Sequence, residues 1–222
     1  GLFPGRVDIG LRNNKKKKHV GRNLQSLYSK EQYALWLEKL QHYLSEARHK
    51  GVVVPETTTV PEQFLLGMGG QSIESAATLG LSFVYGVFPY IPQDPVELAK
   101  SLSEQYRSTF KPGSHSKPSN FVLSVFVVIA DTSEEAEEMA KPLYLWMLGK
   151  QDFSEFHTFP TQKDVEEYQL TQRDREKIAS NRSRLIVGNP REVFEQMEAL
   201  RAVSNPDELL FIPLVGSIEK RK

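Results

Sequence analysis

The stretch FVLSVFVVIA, residues 121–130, carries no charge and is rich in β-branched side chains. A membrane-spanning helix needs roughly 20 apolar residues, about twice this length, so the run reads as a strand buried on both faces. FLLGM (64–68), SFVYGVF (82–88) and DELLFIPLV (207–215), each largely apolar, also read as strands, and RVDIGL (6–11) is a shorter, alternating strand candidate. A strand apolar on both faces needs cover on both faces, which points to a parallel sheet rather than a one-sided antiparallel one.

The segments between these runs supply the cover. SKEQYALWLEKLQHYLSEAR (29–48) is amphipathic, with Tyr33, Leu37, Leu40 and Leu44 at helical spacing, Trp36 beside them and Ser29 with Gln32 as a capping box. A helix starts at Asp94 or Pro95 and runs to about Phe110. Another follows DTSEE, with Thr132 and Glu135 as its capping pair and Pro142 expected to kink or break it. TQRDREKIASNRSR (171–184) is a charged helix, and NPREVFEQMEAL (189–200) begins with Asn189 as cap, Pro190 at the first helical position and Glu192 at the third. Strand and helix therefore alternate, which leaves an open doubly wound sheet or a (β/α) barrel; in both, ligands sit at the C-terminal ends of strands.

Charge and composition exclude several roles. Lys plus Arg and Asp plus Glu both number 28, so a chain that is basic in bulk for nucleic acid or membrane surfaces is excluded. The KKKK run at 15–18 has no interleaved aromatics and reads as a solvated loop. Without cysteine there is no disulfide, thiolate metal site or cysteine nucleophile. His42 and His49 read as surface residues, His115 and His157 as loop residues, and no metal set is formed. No residue reads as an essential acid, base or nucleophile. The start, GLFPGRVDIG, lacks the basic and apolar regions of a signal peptide and resembles the middle of a longer chain. A cytoplasmic protein is expected.

LLGMGGQSIESAATLG (65–80) places Gly67, Gly69 and Gly70 between a strand and a short helix. It lacks the Gly-Lys-Ser/Thr of a Walker A loop, and a dinucleotide fingerprint fails at Ile73. Two readings stand. One is a plain βα turn with Ser72 as helix cap. The other is an anion cradle, in which bare N–H groups and the Ser72 hydroxyl face a phosphate.

Taken in order, LFPGRVDIGL, LLGMGGQSIESAATLGLSFVYG, FVVIADTSEEAEEMAKP, RLIVGNPREVFEQMEAL and DELLFIPLV resemble the landmarks of the bacterial luciferase-like flavin monooxygenases over nearly the whole chain. The resemblance implies an α/β fold of the (β/α)8 TIM-barrel type, present as one domain over 1–222 with its fourth to eighth strands. The first three strands are not represented, so the expected barrel is incomplete, with two open edges that favour pairing with another chain, most simply as a homodimer. The resemblance further implies that Gly69, Gly70, Gln71 and Ser72 hold the phosphate of FMN, with Arg12 nearby, and that Val87 and Phe88 lie near the flavin ring or the substrate. This sequence has Gly69 where the family often has a hydroxyl residue, and Arg12 comes one position early. A mobile loop is expected over 150–180.

The implied reaction is oxygenation of a small organic substrate through a C4a-(hydro)peroxide of reduced FMN, oxygen being the co-substrate and a flavin reductase the source of electrons. The deazaflavin F420 is the other cofactor of related barrels. A non-catalytic flavin-binding or self-assembling remnant of the fold is the alternative. A nucleic-acid or partner-binding module built on KKKK would need a steep salt dependence of binding.

Overall fold

The computed structural model describes residues 5–12, 30–46, 60–88, 94–113, 118–149 and 158–216. The expected Ser29 cap, the KKKK run, His49, His115 and His157 lie outside the described residues. The chain divides into two compact units, residues 1–85 with 104–122 and residues 86–103 with 123–222.

In the first unit, strand β1 (Ile9–Arg12), helix α1 (Lys30–Glu46), strand β2 (Gln63–Gly67), helix α2 (Gly70–Leu79) and strand β3 (Ser82–Gly86) follow one another. The strands pair in parallel in that order, Arg12 opposite Leu66 and Gly67 opposite Tyr85. Their C-terminal ends therefore share one edge. On α1 the predicted stripe buries Leu37, and Tyr33 stacks on Trp36 with centroids 6.0 Å apart. His42 is exposed, as its isolation in sequence suggests. Gln41 donates to the carbonyl of Leu79 (2.8 Å), satisfying one of the open carbonyls at the end of α2. Gly80 then stops that helix in the left-handed region at φ 64°, where an L side chain would be strained.

Helix α3 (Pro95–Thr109) begins as predicted, the Asp94 carboxylate accepting from the N–H groups of Val96 (2.8 Å) and Glu97 (3.2 Å). From Glu104 onward it belongs to the first unit, where Tyr106 lies in the core. This ring is fully buried and lies 6.2 Å from both Phe83 and Phe121. Its hydroxyl donates to Leu81 O (2.8 Å) and accepts from Asn120 N–H (3.2 Å). Each such ring contributes roughly 1.5–3 kcal/mol through burial.

Strand β4 (Phe121–Ile129), which belongs to the second unit from Leu123 onward, is buried from Phe121 to Val128, as its uncharged sequence requires. Helix α4 (Ser133–Trp146) follows, Thr132 Oγ1 accepting from Glu135 N–H (3.1 Å). The helix is not broken at Pro142: the buried ring is accommodated, and α4 continues for one more turn. The charged segment forms α6 (Gln172–Arg182), and a shorter α5 (Gln162–Glu167) precedes it, each started by a threonine–aspartate capping box. The expected loop over 150–180 thus contains two helices among its described residues.

A sixth strand, β5 (Ile186–Gly188), was not expected: its apolar run is too short to show a period, and pairing in parallel with Val127–Ile129 defines it. Helix α7 (Pro190–Ser204) starts on Asn189 with a complete capping box. Strand β6 (Glu208–Pro213) pairs with β4, but Leu210 and Phe211 are 47% and 41% exposed, unlike the buried strand its sequence suggested. The core of this unit gathers Phe126, Val128, Ala140, Leu143, Tyr144 and Val187.

Candidate functional site

The glycine turn sits at the C-terminal edge of β2. Helix α2 starts at Gly70, so its cap is Gly69 rather than Ser72, and no side chain caps it. Ser72 occupies the third helical position, its N–H bonded to Gly69 O (3.1 Å). The capping role considered for Ser72 is therefore excluded by where the helix begins.

The glycines divide into two kinds. A Cβ on Gly67 would lie 2.4 Å from Ser72 Cβ, 2.8 Å from its Oγ and 3.1 Å from Phe83 Cε2, so Gly67 is bare because Ser72 folds back over the strand end. At Gly69 and Gly70 a Cβ would meet nothing within 4 Å. Gly69 is extended (φ −162°), a conformation any residue adopts, and Gly70 is helical. Neither backbone conformation nor packing calls for glycine at these two positions. With no side chain at either position, the start of α2 leaves room for close approach of something outside the chain. The first N–H groups of α2 thus have no side-chain cap and lie beside bare glycines, an arrangement suited to an anion.

Arg12, exposed at the end of β1, stands opposite Leu66 and so reaches the same edge as the turn. Val87 and Phe88 belong to the second unit. Val87 is buried, and its N–H donates to Ser124 O (2.8 Å). Phe88 is half-buried, with its ring 4.8 Å from that of Phe126.

The DTSEE and VGNP motifs meet in the second unit. Ser133 Oγ donates to Glu192 Oε2 (2.6 Å) and accepts from Asn189 Nδ2 (3.0 Å), while Asn189 N–H donates to the same carboxylate oxygen (3.0 Å). These bonds hold the Glu192 carboxyl below its ordinary range, the Ser133 bond first and the Asn189 backbone bond second. Beside them Arg182 pairs with Glu137 (2.7 Å) and donates to Val187 O (3.0 Å). Tyr144 donates to Glu137 (2.6 Å); burial first, and then that bond, raise the phenol above its ordinary range. A cleft of about 510 Å3 borders Ser133, Glu137, Arg182, Glu192 and Gln196. Its polar groups bond one another, so the network reads as a junction of helices rather than a reaction centre. Among the described residues no group of His, Asp or Glu has the arrangement of a metal site, and no helix is long and apolar enough to cross a membrane.

Parallel strands alternating with helices, with an anion-suited turn at a strand's C-terminal end, define an α/β fold of the (β/α)8-barrel type with a phosphate-type ligand site as its candidate. The chain belongs to the luciferase-like monooxygenase family, whose model matches residues 33–204. That family is one of oxidoreductases. The N-acetyl-S-alkylcysteine monooxygenase of Bacillus subtilis (strain 168) is 27% identical over 230 residues, which cover 99% of this chain and 67% of that protein. The crystal structure of apo-MsnO8 superposes with a TM-score of 0.79 at 24% identity, covering 99% of this chain and 66% of that one. An F420-dependent secondary alcohol dehydrogenase, solved with an F420–acetone adduct, has a TM-score of 0.61 at 11% identity, covering 96% of this chain and 65% of that one. The chain thus spans about two thirds of the length of these proteins.

Proposed function

We propose that the chain is an FMN-dependent monooxygenase acting on a small organic substrate, with the turn at Gly69–Ser72 holding the FMN phosphate. The observation that supports this best is the bare, uncapped backbone at Gly69 and Gly70, which neither fold nor packing explains. Gly69, Gly70 and Gln71 would offer N–H groups to the phosphate, Ser72 its hydroxyl, and Arg12 a countercharge. Val87 and Phe88 face the ring or the substrate in this reading.

When bound, reduced FMN supplies the oxygen chemistry. What the chain contributes is binding, orientation and exclusion of water, and no described side chain is assigned a proton-transfer role. Reduced flavin would come from a separate reductase, and the homodimer expected from sequence belongs to the same reading. A phosphate cradle does not by itself choose between FMN and F420. The F420-dependent neighbour keeps the deazaflavin as the rival, and the absorbance maximum of the retained cofactor distinguishes the two.

The test is a visible spectrum of the protein after FMN is added and the excess removed, together with its mass in solution. Retained flavin is expected; colourless protein would end the reading. Turnover with reduced FMN and oxygen separates an enzyme from a remnant that only binds flavin or only self-assembles.

A further inference from the structure

In the second unit, three neighbouring observations concern residues that the phosphate turn does not use. The hydroxyl of Ser124 is buried in a residue only 3% exposed and has no hydrogen-bond partner. Gly86 is bare, and the space its Cβ would take is filled by Phe88: a Cβ there would lie 2.0 Å from Phe88 Cε2. The Phe88 N–H donates to Gly86 O (3.0 Å), a three-residue turn that folds the ring back over the glycine and onto Phe126.

The backbone places these groups together. The bond from Val87 N–H to Ser124 O sets Gly86 beside Ser124 in a parallel ladder. Ser124 and Phe126, two apart on β4, point to the same face, where the Phe88 ring lies. A buried hydroxyl without a partner is unfavourable, and alanine would fill the position more stably. Its presence beside a bare glycine and a half-buried ring suits a ligand that takes the ring's place and bonds the hydroxyl.

We propose that Gly86, Ser124 and Phe126 form a subsite for the pyrimidine edge of a flavin ring, filled by the Phe88 side chain until the ligand displaces it. The pyrimidine edge carries alternating carbonyl and N–H groups, so it can bond Ser124; the dimethylbenzene edge cannot. Gly86 leaves room for a planar ring, and Phe126 offers an aromatic face. This rests on the chain's binding flavin, but not on the phosphate turn.

The probe is lumiflavin, which has the ring without the phosphate chain, titrated by flavin fluorescence against the full chain, with FMN in parallel. Ser124→Ala is expected to weaken lumiflavin about 3–10-fold, the scale of one lost hydrogen bond, while its melting temperature stays equal or rises. Phe88→Ala is expected to tighten lumiflavin, since no side chain need be displaced. A fall in melting temperature with unchanged affinity in Ser124→Ala makes the serine structural and overturns the proposal. Weaker binding in Phe88→Ala makes the ring a stacking platform and also overturns it. If FMN binds and lumiflavin does not, the subsite alone fails; if neither binds, the flavin reading fails with it.

Discussion

Ser133 on α4 donates a 2.6 Å hydrogen bond to the Glu192 carboxylate on α7, joining the two sequence motifs DTSEE and VGNP into one junction. Asn189 completes it, accepting from Arg191 N–H (3.0 Å) and Glu192 N–H (3.1 Å) while donating to Ser133. Asn189→Ala should therefore lose both a helix cap and a link between helices. The expected cost is about 1–2 kcal/mol, the upper part of the range for a lost N-cap, measured by urea denaturation. Asn189→Asp keeps the cap but replaces the donor to Ser133 with a second carboxylate beside Glu192, so it should also be less stable than wild type.

The same junction is pH-sensitive. Because Glu192 is held below its ordinary range when folded, the unfolded chain binds its proton more readily. The stabilisation is present above the ordinary carboxylate range and is lost as pH falls through that range towards the lowered folded value. Melting temperature should drop over that acidic window, and Ser133→Ala should flatten part of the drop. An identical pH profile in Ser133→Ala would show that the Ser133 bond does not set the Glu192 titration.

Tyr106 ties β3 to the start of β4 through its bonds to Leu81 O and Asn120 N–H. Tyr106→Phe keeps the ring packing and loses both bonds, and should cost about 1–3 kcal/mol in denaturant unfolding.

Gly67 and Gly70 should behave differently. Gly67→Ala drives a methyl into Ser72 and Phe83 and should destabilise the fold by about 1–3 kcal/mol. Gly70→Ala meets open space at the first position of α2 and should change stability by less than about 0.5 kcal/mol, while weakening FMN. Gly70→Val should abolish FMN binding with the fold retained. Thermal melts with and without FMN separate these effects.

These contrasts show how much the sequence made legible. The buried strands β3 and β4, the helix start at Asp94 or Pro95, the caps at Thr132 and Asn189, and the position of the glycine turn could be read from residue pattern, because period and capping chemistry are local. Strand β5 could not, since three apolar residues become a strand only by pairing with β4. Nor could the difference between Gly67 and Gly70, which depends on where Ser72 folds. The Ser124 hydroxyl shows in sequence only as one polar letter in an apolar run, and burial without a partner is a property of packing.

The affinity of the chain for FMN against riboflavin, which differ only by the phosphate, decides whether the turn at Gly69–Ser72 binds phosphate. FMN is expected to bind much more tightly. Ser72→Ala should reduce that difference by about 1–2 kcal/mol, the scale of a hydrogen bond to a charged group, and Gly70→Val should erase it. Equal affinities in the wild-type chain would contradict a phosphate role for the turn at Gly69–Ser72.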